Sequence, residues 1–288
     1  MRGWDSWIAL GDSFTEGLSD QAPDGGYIGW ADRLAANLAD HVPDFRYANI
    51  ALRGKHMREI LDEQVPLAVQ EKPALVTLCG GGNDIVTPGS DVDEIAELFE
   101  RAVAEIVDAG CDLVIFSGPD PKPQPLLRRV RGKVAIYNGH LRAIAERHGA
   151  MLVDLWGMDV LRDRRAWSED RLHFSTEGHR RIALRTAEVL GLPVTADWRE
   201  PLPPATPMSW LRGRQADLVW TRTHLLPWVR RQINGKSMGD GLQPKRPALQ
   251  PICDPYAPDE RTVFDNSGKA VLSSSGKAAG RLRRTASG

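Results

Sequence analysis

Ser13 stands in Gly11-Asp12-Ser13-Phe14-Thr15-Glu16-Gly17, directly after the apolar run Trp7-Ile8-Ala9-Leu10, so its hydroxyl lies where a strand gives way to a tight turn. Far along the chain, Asp170-Arg171-Leu172-His173 sets a carboxylate and an imidazole three positions apart. A hydroxyl is a competent nucleophile at neutral pH only when a hydrogen-bonded base removes its proton as the oxygen attacks. His173 is the candidate base. Asp170, on a segment that turns back on itself, can hold the other ring nitrogen and stabilise the imidazolium that forms. The chemistry implied is acyl transfer through a serine.

Charge developing on an attacked carbonyl oxygen needs donors fixed in advance. Two candidates follow predicted strands. Gly54 closes the turn Leu52-Arg53-Gly54 after a strand over 45–51, and without a Cβ its N–H can approach a ligand closely. Asn83 lies in Gly80-Gly81-Gly82-Asn83-Asp84-Ile85 after Ala74-Leu75-Val76-Thr77-Leu78-Cys79, and its amide can be aimed but never ionised.

The elements that must position these groups alternate. Strands are predicted near 6–12, 45–51, 73–79, 111–117 and 150–155, and helices near 28–40, 56–70, 91–109, 131–148 and 176–190. Ile95, Leu98, Phe99, Ala102, Val103, Ile106 and Val107 form a helical stripe. Such alternation reads as a parallel sheet with crossover helices, a three-layer α/β/α sandwich with five strands. Ligands of open parallel sheets bind beyond the carboxyl ends of the strands, where Ser13, Gly54 and Asn83 all fall.

Each residue taken singly has an ordinary explanation. Ser13 can cap the segment after it, Asn83 and Asp84 suit any turn, His173 can be a half-buried histidine and Asp170 a helix cap. Those explanations must hold at four places at once. The four blocks, Gly11-Asp12-Ser13, Asn49 to Gly54, Gly82-Asn83-Asp84 and Asp170 to His173, occur in order over roughly residues 5–192. They resemble the SGNH-hydrolase (GDSL) superfamily of esterases and lipases, with Phe14 where the family name places Leu. The resemblance implies a flavodoxin-like fold and a carboxylic ester hydrolase. In it Ser13 is the nucleophile, His173 its base and Asp170 the orienting acid, while the Ser13 N–H, the Gly54 N–H and the Asn83 side chain form the oxyanion hole. The resemblance also spans thioesterases, lysophospholipases and carbohydrate deacetylases, and an acyltransferase with the same site is an alternative, since only the exclusion of water separates transfer to an alcohol from hydrolysis.

Other ligands for this architecture fail at the same turns. Neither a P-loop nor a Gly-x-Gly-x-x-Gly fingerprint occurs at the strand ends. None of the seven histidines forms a His-x-x-x-His pair, and His173 and His179, six apart, point to different faces of a helix. No cofactor or metal is expected, nor a nucleic-acid partner, and the partner implied is a small-molecule ester. Three cysteines, Cys79, Cys111 and Cys253, do not suggest a disulfide framework. No apolar run is long enough for a signal peptide or a membrane span, so the expected location is cytoplasmic. Pro119 to Pro125, followed by Leu126 to Arg131, leaves the fourth strand near the pocket; Lys122, Arg128 and Arg129 either attract an anionic substrate or merely begin a solvated helix.

Residue 192 divides the chain by charge. Residues 193–288 carry 15 Lys and Arg against 8 Asp and Glu, net +7, and the first 192 carry net −8, giving the overall −1. The reading is a hydrolase domain over 1–192, a Pro- and Trp-rich extension over 193–266 packed on it, and a flexible basic tail over 267–288. Within the extension, Met208 to Asn234 reads as a broken helix whose apolar groups either wall the pocket or anchor on a membrane surface or partner, with packing on the body favoured, and Gly235 to Pro258 reads as irregular. Lys277, Arg281, Arg283 and Arg284 leave a second class in view, a binding module for anionic surfaces on an inert scaffold.

Overall fold

The computed structural model describes residues 3–23, 25–124, 127–204, 220, 222–223, 239 and 241–252, and the backbone of 262–264 and 270–272. Strand β1 (Ser6–Gly11) is buried along its whole length, as a central parallel strand covered on both faces must be. Its side chains alternate between two cores. Trp7 and Ala9 pack with Trp30, Leu34, Phe116 and Ile182, while Ile8 and Leu10 pack with Ile60, Val76, Phe99 and Ile115. The sheet continues through β2 (Arg46–Asn49), β3 (Leu75–Cys79), β4 (Asp112–Phe116) and β5 (Met151–Val153), all parallel. Helices α2 (Gly29–Ala39) and α8 (Thr176–Val189) contribute to the first core. The second core takes residues from α3 (Met57–Glu59), α4 (Val65–Glu71), α6 (Val92–Asp108) and α7 (Arg131–His148). Two short helices, α1 (Ser13–Glu16) and α5 (Gly82–Val86), follow β1 and β3.

The strand order is β5-β4-β3-β1-β2-β6, six strands where five were expected. The additional β6 (Arg246–Pro251) pairs antiparallel with β2, Arg46 facing Pro251 and Asn49 facing Arg246, with a bulge between. Its sequence lacks an apolar alternation and holds Pro247 and Pro251, which is why 235–258 read as irregular. Prolines are tolerated in a strand at the sheet edge, where the outer backbone groups need no partner. Lys245 anchors the strand: its Nζ donates to the Tyr27 and Ile28 carbonyls (3.2 and 2.7 Å) and to Asp32 (2.8 Å).

The helix expected over 56–70 has a π turn, Ile60–Gln64, between α3 and α4. Pro66 has no N–H and sits in the first turn of α4, where a helix tolerates it. The wide turn places Gln64 in the interior, where its amide accepts from Gly11 N–H (2.8 Å) and donates to Gly11 C=O (2.9 Å). After α8, Trp198 Nε1 donates to Glu188 (2.7 Å) and Arg181 to the Asp197 carbonyl (2.7 Å). Strands β7 (Thr262–Phe264) and β8 (Ala270–Leu272) form an antiparallel pair partly within the stretch whose composition predicts no regular structure. The remainder of the basic tail, with Lys277, Arg281, Arg283 and Arg284, and most of the helix expected over 208–234 lie outside the described residues.

Candidate active site

The chain leaves the central strand between β2 and β3, so residues just past these three strands converge at the sheet's carboxyl edge. Asp12 caps α1, its Oδ1 accepting from Phe14 N–H (3.0 Å), and makes Ser13 the first helical residue. Gly17 ends α1 with φ +89°; a Cβ there would lie 2.6 Å from the Cα of Gly29, so only glycine permits this crossing. Phe14 stacks on Trp30 and meets Phe116 and Phe174 edge-on, which fixes α1 against the core.

His173 Nε2 lies 3.0 Å from Ser13 Oγ, and His173 Nδ1 lies 2.6 Å from Asp170 Oδ2. The three residues nominated from sequence therefore meet across a long chain separation. Asp170 Oδ1 accepts from the Leu172 and His173 N–H groups (2.9 and 3.0 Å) and from Ser168 Oγ (2.5 Å). Burial opposes the Asp170 charge, but the His173 ring and backbone and Ser168 overcome it, holding the carboxyl well below the usual range. Arg171 has φ +61° at the crest of this turn.

Gly54 adopts φ +82° after β2, a conformation glycine takes without strain. The turn is stapled to α1 by Arg53, whose backbone N–H (2.8 Å) and guanidinium both donate to Glu16. Asn83 Nδ2 donates to the Lys55 carbonyl at 2.9 Å and lies 3.5 Å from Asp12 Oδ2, so its amide is aimed by two neighbours. Burial raises the Asp12 carboxyl to about 6, against the Phe14 N–H and the charge of His173. Asp84 accepts from Met57 N–H (2.9 Å) and pairs with His56.

Ser13, Gly54, Asn83, Asp170 and His173 all line one cavity of about 430 Å³ whose walls include Phe14, Phe116, Val130, Leu155, Trp167 and Tyr137. Leu127 and Val130 reach it from the segment after β4, whereas Lys122, Arg128 and Arg129 do not line it. His179 is fully buried, accepts Trp30 N–H on Nδ1 (3.2 Å), and is pushed by burial down to about 4, hence neutral. Among the described residues no group of three or more His, Cys, Asp or Glu is placed to hold a metal. No helix among them is long and apolar enough to cross a membrane.

Sequence reasoning missed Gln64, the Glu16–Arg53 pair, Trp220 and Thr223. Pro66 inside a helical stripe was a local signal for the first. The others bridge distant segments with no shared motif.

An open, mostly parallel sheet thus brings a serine, an imidazole, a carboxylate and an amide together past its strand ends. Residues 9–181 match the GDSL-like lipase/acylhydrolase family. The chain belongs to that family and is a carboxylic ester hydrolase. No curated protein matches the sequence. Among solved structures it is similar to LAE5, an alpha/beta hydrolase enzyme from the metagenome of Lake Arreo, Spain. The identity is 21% over 66% of this chain and 96% of that one, with a TM-score of 0.56. It is also similar to Axe2, an acetylxylan esterase from Geobacillus stearothermophilus (18%, 69% and 98%, 0.55). A third is the psychrotrophic esterase EstA from Pseudoalteromonas sp. (18%, 65% and 97%, 0.53). At these identities the likeness is one of fold.

Proposed function

We propose that the chain cleaves carboxylic esters through an acyl-enzyme on Ser13. Ser13 Oγ attacks the ester carbonyl as His173 Nε2 takes its proton. The oxyanion is met by the N–H groups of Ser13 and Gly54 and by the Asn83 amide. Collapse expels the alcohol, which receives the proton from His173, and the acyl group stays on Ser13. A water then attacks the acyl-enzyme with His173 again as base, regenerating the hydroxyl and releasing the acid. Asp170 holds the imidazole in the tautomer both steps require. The observation that carries this reading is the unbroken relay from Ser13 Oγ through His173 to Asp170, at 3.0 and 2.6 Å.

The cavity favours an apolar acyl group of medium length over acetyl, since its walls are aromatic and aliphatic. Each methylene buried there contributes about 0.8 kcal/mol, so kcat/KM on p-nitrophenyl esters is expected to rise about fourfold per methylene from acetate until the cavity fills. The Axe2 likeness favours a second reading, removal of acetyl from a carbohydrate. A flat or falling profile from acetate to octanoate, with turnover of acetylated xylose, would establish that reading and reject the first.

A further inference from the structure

The family match ends at residue 181, and the solved neighbours are covered over 96–98% of their own length by 65–69% of this chain. About a third of this chain lies outside each of these matches, and residues beyond the family match stand at the site. Trp220 Nε1 donates to the Asp170 carbonyl at 2.8 Å, and the Arg171 guanidinium lies over the Trp220 ring, 4.8 Å from its centroid. Thr223 lines the same cavity as Ser13 and His173. Trp220 has α-helical backbone and Thr223 lies in a wider π turn.

We infer that Trp220 and Thr223 complete the active site, Trp220 as a positioning residue for the Asp170–His173 turn and Thr223 as a determinant of acyl-chain specificity. The carboxylate of Asp170 is loaded from inside the turn by Leu172, His173 and Ser168. Its main-chain carbonyl is held from outside by Trp220, and the next residue, Arg171, is pinned on the same ring in a left-handed conformation it does not favour. Carbonyl and carboxylate belong to one residue, so fixing the first restricts the swing of the second and of the imidazole it orients. Thr223, three positions on, lines the cavity, where a larger side chain takes space from the acyl group.

The inference rests on the ester-hydrolase reading, and the test separates the two. Kinetic constants for p-nitrophenyl acetate and octanoate are measured on the full chain, per active site counted by fluorophosphonate titration. Trp220→Phe keeps an aromatic ring for Arg171 and removes the indole N–H together with the second ring. It is expected to lower kcat about tenfold on both esters with KM within twofold, since misplaced reacting groups slow the chemical step. Thr223→Trp is expected to lower the octanoate-to-acetate ratio of kcat/KM at least about tenfold. Arg199→Gln, in the same part of the chain but paired with Glu188 on α8, should match the parent. Either of the first two variants matching the parent overturns the inference while leaving the hydrolase reading intact. A parent inert toward both esters defeats that reading itself.

Discussion

Asp170 uses both carboxylate oxygens in the folded protein, one on the His173 ring and the other on two backbone N–H groups and Ser168. Asp170→Asn keeps the shape but cannot hold the required imidazole tautomer, so kcat is expected to fall at least about a thousandfold. The thermal midpoint should stay within a few degrees, and a calorimetric trace beside the kinetics checks the pairing of effects. Asn83→Ala removes one proposed oxyanion donor. It should lower kcat by about a hundred- to thousandfold, about 3–4 kcal/mol, with little change in KM. Asp12 gives a dependence on pH. Its carboxyl is raised from 3.8 to about 6 by burial, so the fold prefers the protonated acid. That contribution is complete below about pH 4 and is lost as pH rises through 6, amounting to about 3 kcal/mol. In urea melts Asp12→Asn should be more stable than the parent at pH 8 by up to that amount and equal to it at pH 4. A gain confined to pH 4 would contradict the account.

The π turn shows how an element serves the site without touching substrate. It aims Gln64 at both backbone groups of Gly11, two residues before Ser13. Gln64→Leu leaves the buried Gly11 N–H without its acceptor, an expected loss of about 1–3 kcal/mol in urea unfolding. Turnover per folded site should fall as well. Such a device was barely legible beforehand, because one added residue in a turn leaves the apolar stripe of 56–70 almost unaltered. The long helices were legible for the converse reason. Arg131–His148 and Thr176–Val189 fall within a residue of the expected bounds, their apolar spacing and caps being local. Ser13, Asp170 and His173 were legible because each lies in a contiguous motif. Glu16 and Arg53 are 37 positions apart, and only the folded chain makes them partners. Strand β6 was invisible for yet another reason: its place depends on the edge of β2, not on a pattern of its own.

At the scale of the molecule, the stretch beyond the family match supplies the sixth strand, Arg246–Pro251, and one residue of the cavity lining, Thr223. Lys245 ties β6 to the start of α2 through three acceptors, one of them charged. Lys245→Ala is expected to lower stability by about 1.4 kcal/mol, and hydrogen exchange of the β2 amides at 46–49 should quicken about tenfold. Unchanged exchange there would mean that β6 is held by its ladder alone. The opposite net charges of residues 1–192 and 193–288 do not themselves establish a function. Everything in this account depends on the Ser13 hydroxyl as nucleophile. The most direct measurement is peptide mapping after a fluorophosphonate probe, paired with p-nitrophenyl butyrate turnover by the parent and by Ser13→Ala. One adduct on Ser13, complete loss of turnover on labelling, and an inactive, folded Ser13→Ala chain are expected. Undiminished turnover by Ser13→Ala, or an adduct elsewhere, would contradict Ser13 as the nucleophile.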